Sequence, residues 1–436
     1  MNNDSKEKML FQDFIPPTKQ DWIDKANIDL KGADFNKRLV WKNLNGIEIQ
    51  PFYTKSDQKQ LLNNTGENSA QVVNYRRIEV REVSMANQLA LKALAEGVTG
   101  LLFDIGEEVP AELLLRDIDF NGIAVSFMLN KDSVSFSKSY LSFLDKHDID
   151  PKLVYGFIDF DIFNQYLETG ILDKDLMDQM SELITVFKDY PNFKTLAVSG
   201  TIYQDAGSNQ VQEIAYTLNS LVFLIESMTT KNRSTKEVFD NLHFILGVSS
   251  EYFVEIAKFR VFNSLLSTIA SKYAVTDHEF SVSAKTSVWS KSVTDANTNM
   301  LRATTEAMAA LLGNVDGIEL TPYDHEFKSA NDFSNRIAGN ITTILKEESY
   351  FGKVANPVDG SYYIEKLFLQ MAQNALEIFK NIERSGGFIA QTNNGKIQSQ
   401  IAEIRMKKIK LLSQRRIAMV GVNKYPNLME TISKDI

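Results

Sequence analysis

Residues 195–228 constrain the fold more than any other stretch: T-L-A-V-S-G-T-I-Y-Q-D-A-G-S-N-Q-V-Q-E-I-A-Y-T-L-N-S-L-V-F-L-I-E-S-M. The first five residues form a short apolar run that suits a strand buried on both faces. Gly200 breaks the run, and Asp205, Gly207, Ser208 and Asn209 supply turn and N-cap chemistry. Val211, Ile214, Ala215, Leu218, Leu221, Val222, Ile225 and Met228 then recur at helical spacing. A buried strand, a polar turn and an amphipathic helix make one β/α unit.

The same grammar runs through most of the chain. The pattern predicts strands at 100–104, 123–129, 153–160, 195–199, 243–247, 280–285, 317–320 and 352–355. Helices are predicted at 85–96, 111–116, 133–147, 252–272, 299–312, 332–348 and 364–385. Eight units in this span imply an α/β fold closed into a (β/α)8 TIM barrel. The organisation expected is an N-terminal arm (1–70), the barrel (71–365) and a C-terminal helical extension (366–436) with a charged helix near 398–415. The arm carries Trp22, Phe35, Trp41, Phe52 and Tyr53 with little of its own to cover them. Packing on the following barrel and packing on a partner subunit both remain open.

Charge narrows the function classes. The 47 basic residues against 56 acidic ones leave a net charge of −9, which disfavours nonspecific binding to nucleic acid or anionic membranes. With no cysteine there is neither a thiolate metal site nor a thiol nucleophile. The first residues lack the apolar core of a signal peptide, and no uncharged run reaches membrane-spanning length. A cytoplasmic protein is expected.

In such barrels the chemistry sits on turns after the strands, here residues 200–208. Thr201 and Ile202 stand there, and neither is an acid or base near neutral pH. The histidines His147, His243, His278 and His325 are scattered. The two D-H-E-F tetrapeptides at 277–280 and 324–327 fall at opposite barrel ends, so no metal site is expected. Asp145-Lys-His-Asp-Ile-Asp150 reads as a charged helix terminus. Glu213, Glu255 and Glu306 fall on helix faces, where solvated or salt-bridged roles are the default. Lys285 ends a strand at the barrel mouth and reads as a surface ion pair, with contact to an anionic ligand as the sharper alternative.

Several stretches resemble one family, the methylmalonyl-CoA mutases. They are D-L-K-G-A-D-F at 29–35, Q-V-Q-E-I-A-Y at 210–216, E-I-A-K at 255–258, N-M-L-R-A-T-T-E-A-M-A-A-L-L-G at 299–313, A-N-P-V-D-G-S-Y-Y at 355–363 and G-V-N-K-Y at 421–425. They occur in the family's order across nearly the whole chain. The resemblance implies a barrel through which an acyl-CoA threads and a separate flavodoxin-like domain carrying adenosylcobalamin. It also implies a radical interconversion of methylmalonyl-CoA and succinyl-CoA, placed in propionate metabolism.

The chain departs from the catalytic members of that family. Where they carry a Tyr-His pair, Thr201 and Ile202 stand; where they carry a Tyr near the radical site, Val83 stands after Glu82. Their H-S-Q-T-S-G becomes S-A-K-T-S-V at 283–288, and no D-x-H-x-x-G or flavodoxin-like cobalamin-binding domain is expected. The resemblance therefore implies the small (beta) subunit of a heterodimeric mutase. No residue of this pseudoenzyme would be catalytic, cofactor-binding or metal-ligating. Adenosylcobalamin and the acyl-CoA would sit in the large (alpha) catalytic subunit, which this chain would stabilise. Trp22, Phe35 and Trp41 are the candidate partner contacts. Two alternatives stay open: a degenerate acyl-CoA-binding barrel acting alone, and a mutase barrel that uses a separate cobalamin-binding chain.

Overall fold

A computed structural model of the chain describes residues 17–57, 72–129, 133–276, 278–329, 331–354 and 356–429. Eight parallel strands close into a barrel: β1 (Val73–Glu79), β2 (Gly100–Ile105), β3 (Ala124–Leu129), β4 (Gly156–Asp159), β5 (193–199), β6 (Leu242–Val248), β7 (Ser281–Thr286) and β8 (Gly317–Glu319). Strand β8 returns to pair with β1, with Ile318 beside Asn74. Closure on the other side runs through β5. Its Phe193–Lys194 half pairs with β4 and its Leu196–Ser199 half with β6. Thr195 between the halves is buried and donates its hydroxyl to Asn241 Oδ1 at 3.0 Å.

The barrel count is as expected, but two of its members differ. Strand β1 lies where no strand was predicted, because V-N-Y-R-R-I-E has polar residues on both faces. Inward, Tyr75 and Arg77 reach the lumen; outward, Arg76 donates to the Asn335 carbonyl beneath helix Asp332–Glu347. The strand predicted at 352–355 is absent. Phe351–Lys353 is a single 3-10 turn, and Ala355 lies outside the described residues. Asp57–Ser69, read as loop, lies outside them from residue 58 on.

The main core lies between the sheet and its helices, as paired apolar faces require. Helix Gln210–Thr230 starts at Asn209, whose side chain and that of Gln212 form a capping box. Its polar face is buried as well as its apolar one. Helix Tyr362–Arg384 packs across it and across helix Tyr252–Lys272, so the C-terminal extension covers what an amphipathic reading leaves to solvent. Asn219 Nδ2, for example, donates to the Phe379 carbonyl at 3.2 Å.

The arm divides in two. Trp41–Lys42 and Glu48–Ile49 pair as an antiparallel ribbon, and the loop between them docks on the barrel with Asn43, Asn45 and Ile47 buried. Helix Lys19–Asp29 instead buries none of its residues. Among the described residues, no helix is long and apolar enough to cross a membrane.

Candidate functional site at the barrel mouth

The inward positions of the strands build a plug below and a cavity above. Tyr75, Leu102, Ala124, Phe157, Ala197 and Ile245 form a second apolar cluster inside the barrel. Gly100 and Gly317 flank Tyr75 because a Cβ at either would lie 2.6 or 2.5 Å from its ring. Tyr75 meets Phe157 edge-on at 5.7 Å, and His243 stacks on the other side of this filling. His243 Nδ1 is hydrogen-bonded with Ser281 Oγ (2.8 Å) and Nε2 with Ser283 Oγ (2.9 Å), one nitrogen donating and the other accepting. Burial, helped by Lys194, pushes its pKa down to about 3, so the ring is neutral.

One inward position further along β1, β4, β7 and β8 the lining becomes charged, while Ile245 of β6 keeps it apolar. Arg77, Asp159, Ile245, Lys285 and Glu319 border a cavity of about 610 Å³ at the C-terminal strand ends. Ile397, Ile401 and Arg405 of helix Lys396–Ser413 supply its outer wall. Arg77 pairs with Asp104 at 2.6 Å. Asp159 is 5% exposed, and burial raises its pKa. The Asp161 carboxyl is pushed up to about 7 by burial and by Asp159 beside it. Burial also raises Asp205. Acidic side chains outnumber basic ones around the cavity, five to three.

Beside the mouth lies a buried ionic cluster. Lys258, wholly buried, reaches Glu213 at 2.9 Å and Glu255 at 2.6 Å, and donates to the Gly247 carbonyl. Gly247 N–H in turn donates to Glu213 at 2.6 Å. One cation serves two carboxylates, so Lys258 is held protonated while burial pushes Glu213 up to about 7. Gln210 Nε2 donates to Glu255 (3.0 Å) and accepts on Oε1 from Asn45 Nδ2 (2.8 Å). The arm thus joins the cluster directly. From the other side, Lys408 donates to the Ser208 carbonyl at 2.5 Å and sits 5.2 Å from the Trp289 ring.

Several expectations are corrected by this geometry. Glu213, Glu255 and Glu306 are salt-bridged, one of the two roles expected of them, but fully buried where solvent-facing positions were expected; Glu306 pairs with Lys291 at 2.5 Å. The i, i+3 spacing of Glu255 and Lys258 in E-I-A-K was the signal that could have found the cluster. Lys285 is half-buried and, among the described residues, has no ion pair within 4.0 Å; it lines the mouth. Thr201 begins the short helix Thr201–Asp205 and lines the cavity with Ile202; Val83 begins helix Val83–Ala95 away from it. Trp22 meets Phe35 at 6.3 Å and Phe52 at 4.8 Å on the arm, and Trp41 is 52% exposed on the ribbon. The histidines do not converge: His147 faces Glu112, His278 faces Asp240, and His325 borders a groove beside β8. Among the described residues no group of ligands suits a metal ion.

Fold and site define a (β/α)8-barrel protein with a plugged lumen and a walled, mixed-charge cavity at the C-terminal mouth. Residues 96–435 match the methylmalonyl-CoA mutase family model. The chain belongs to that family. It is 31% identical to the methylmalonyl-CoA mutase small subunit of Porphyromonas gingivalis over 99% of this chain and 73% of that protein. It is also 27% identical to the small subunit from Streptomyces virginiae (81% of this chain, 58% of that protein). Against the Escherichia coli methylmalonyl-CoA mutase the identity is 29%, over 76% of this chain and 47% of that protein. The chain spans only part of the length of each of these relatives.

Proposed function

We propose that the chain is the small subunit of a heterodimeric, adenosylcobalamin-dependent methylmalonyl-CoA mutase. In this reading it is catalytically silent and stabilises the large catalytic subunit. The observation that carries the proposal is the lumen filled by Tyr75, Phe157 and His243. A thioester arm threaded along the barrel axis would need the volume those rings occupy, and close-packed interiors yield such volume only at high energy. The small-subunit relatives support the same reading.

The mouth is equally unsuited to the family's radical chemistry. Thr201 and Ile202 offer no proton-transfer group, and the cavity lining holds no histidine among the described residues. Cobalamin, where bound, supplies the homolysis that starts the reaction. Its corrin would require an open rim, which helix Lys396–Ser413 walls with Ile397, Ile401 and Arg405. The residues present do not fit that cofactor. The helix Lys19–Asp29, with Trp22 and Phe35, is the surface offered to the large subunit.

The test is reconstitution. The chain and the large subunit are purified separately and together, then assayed for isomerisation with added adenosylcobalamin. Turnover is expected from the large subunit and the complex, with greater thermal stability in the complex. Turnover by this chain alone would overturn the reading.

A further inference from the structure

The mouth cavity is too small and too acidic for a CoA thioester, yet it is shaped as a ligand site. Its volume of about 610 Å³ falls within the range of small-molecule pockets. Leu102, Met128 and Ile245 give it an apolar lining, and a few polar groups converge on one side. Among these, Asp159 is 5% exposed; its Oδ1 accepts the Asp161 N–H at 2.9 Å. Its Oδ2 has no hydrogen-bond donor or ion-pair partner among the described residues. Asp159 lines the cavity, where this oxygen is open to a donor carried by a ligand. Asp161 is held at a left-handed φ of 51°, with one oxygen tied to Asn164 Nδ2 at 2.8 Å. Two cations, Arg77 and Lys285, line the same cavity, and among the described residues neither comes within 4.0 Å of either carboxylate.

We propose that the mouth cavity binds a small ligand carrying a protonated amino group on a short apolar chain. The ammonium would meet Asp159 and Asp161, and the chain would lie against Leu102, Met128 and Ile245. Three donors on an ammonium match a carboxylate oxygen that lacks a partner, and the acidic excess around the cavity favours a cation. The same acidic lining disfavours phosphates and carboxylates, and so selects against CoA thioesters. The site goes beyond the small-subunit reading and holds whether or not the chain is silent.

The full-length chain, alone and in its complex, is titrated calorimetrically with n-butylammonium chloride at pH 7.5. One saturable site is expected. Asp159→Asn should weaken it by about tenfold or more, with circular dichroism and melting temperature confirming the fold. Ala402→Trp provides a second variant, because Ala402 lines the cavity from an exposed helix position and its replacement fills the cavity without altering charge. It should abolish binding. Absence of saturable binding up to about 10 mM, or unchanged affinity in both variants, would overturn the proposal. So would binding of acetyl-CoA that Ala402→Trp removes.

Discussion

His243 lies face to face on Phe157, ring centroids 4.0 Å apart and planes within 10°. The stack sits across the barrel axis, and Ser281 and Ser283 hold both ring nitrogens. An imidazole in this position is packing material with satisfied polar atoms, not a ligand or base.

We predict that Phe157→Ala destabilises the chain by about 3–5 kcal/mol, the range for emptying a buried aromatic site. Chemical denaturation checks the value. A loss below about 1 kcal/mol would mean that the lumen is not close-packed.

Stability should depend on pH through His243. Its folded pKa of about 3 lies below the ordinary 6.5. Between those values the unfolded chain binds a proton that the folded chain refuses, so the contribution is full above 6.5 and declines as pH falls toward 3. His243→Gln should flatten this limb of the stability profile, measured by urea denaturation across that window. An unchanged slope would contradict the neutral buried ring.

Lys258→Met is predicted to cost about 3–5 kcal/mol, because Glu213 and Glu255 lose their shared cation inside the fold. The double variant Lys258→Met with Glu213→Gln should recover part of that loss. Urea midpoints decide this, and a loss in the double variant equal to the sum of the single losses would show that the residues are not coupled.

Asn45→Ala removes the side-chain bonds to Gln210 and to the Val211 amide (3.1 Å). The expected loss is about 1–3 kcal/mol, together with faster proteolysis between the arm and the barrel. Unaltered protection would show that the arm is held elsewhere.

Restoring the family's pair with Thr201→Tyr and Ile202→His is predicted to leave the chain inactive, because the axis below remains filled. An isomerisation assay with methylmalonyl-CoA and adenosylcobalamin checks this. Any turnover above the unmodified chain would make the mouth residues, and not the plug, the seat of silence. For the arm, Trp22→Ala should raise the dissociation constant for the large subunit while leaving the isolated chain's melting temperature unchanged. Equal affinity would remove Trp22 from the interface.

The sequence by itself determined the β/α rhythm, since each buried strand and each apolar helix stripe follows from local periodicity. Helix Tyr252–Lys272 matches its predicted bounds, and the polar turn before Gln210 carries the cap expected of Asn209. It also determined that residues 201 and 202 supply no acid or base. Strand β1 escaped because its inward Tyr75 and Arg77 are selected by the barrel interior, which does not exist until the sheet closes. Only the tertiary structure decided that Glu213, Glu255 and Lys258 are buried together, because the groups that cover them, Asn45 of the arm and the helices after residue 361, come from distant parts of the chain. The same holds for the plug: Tyr75, Phe157 and His243 stand far apart in sequence, and closure of eight strands alone brings their rings onto one axis.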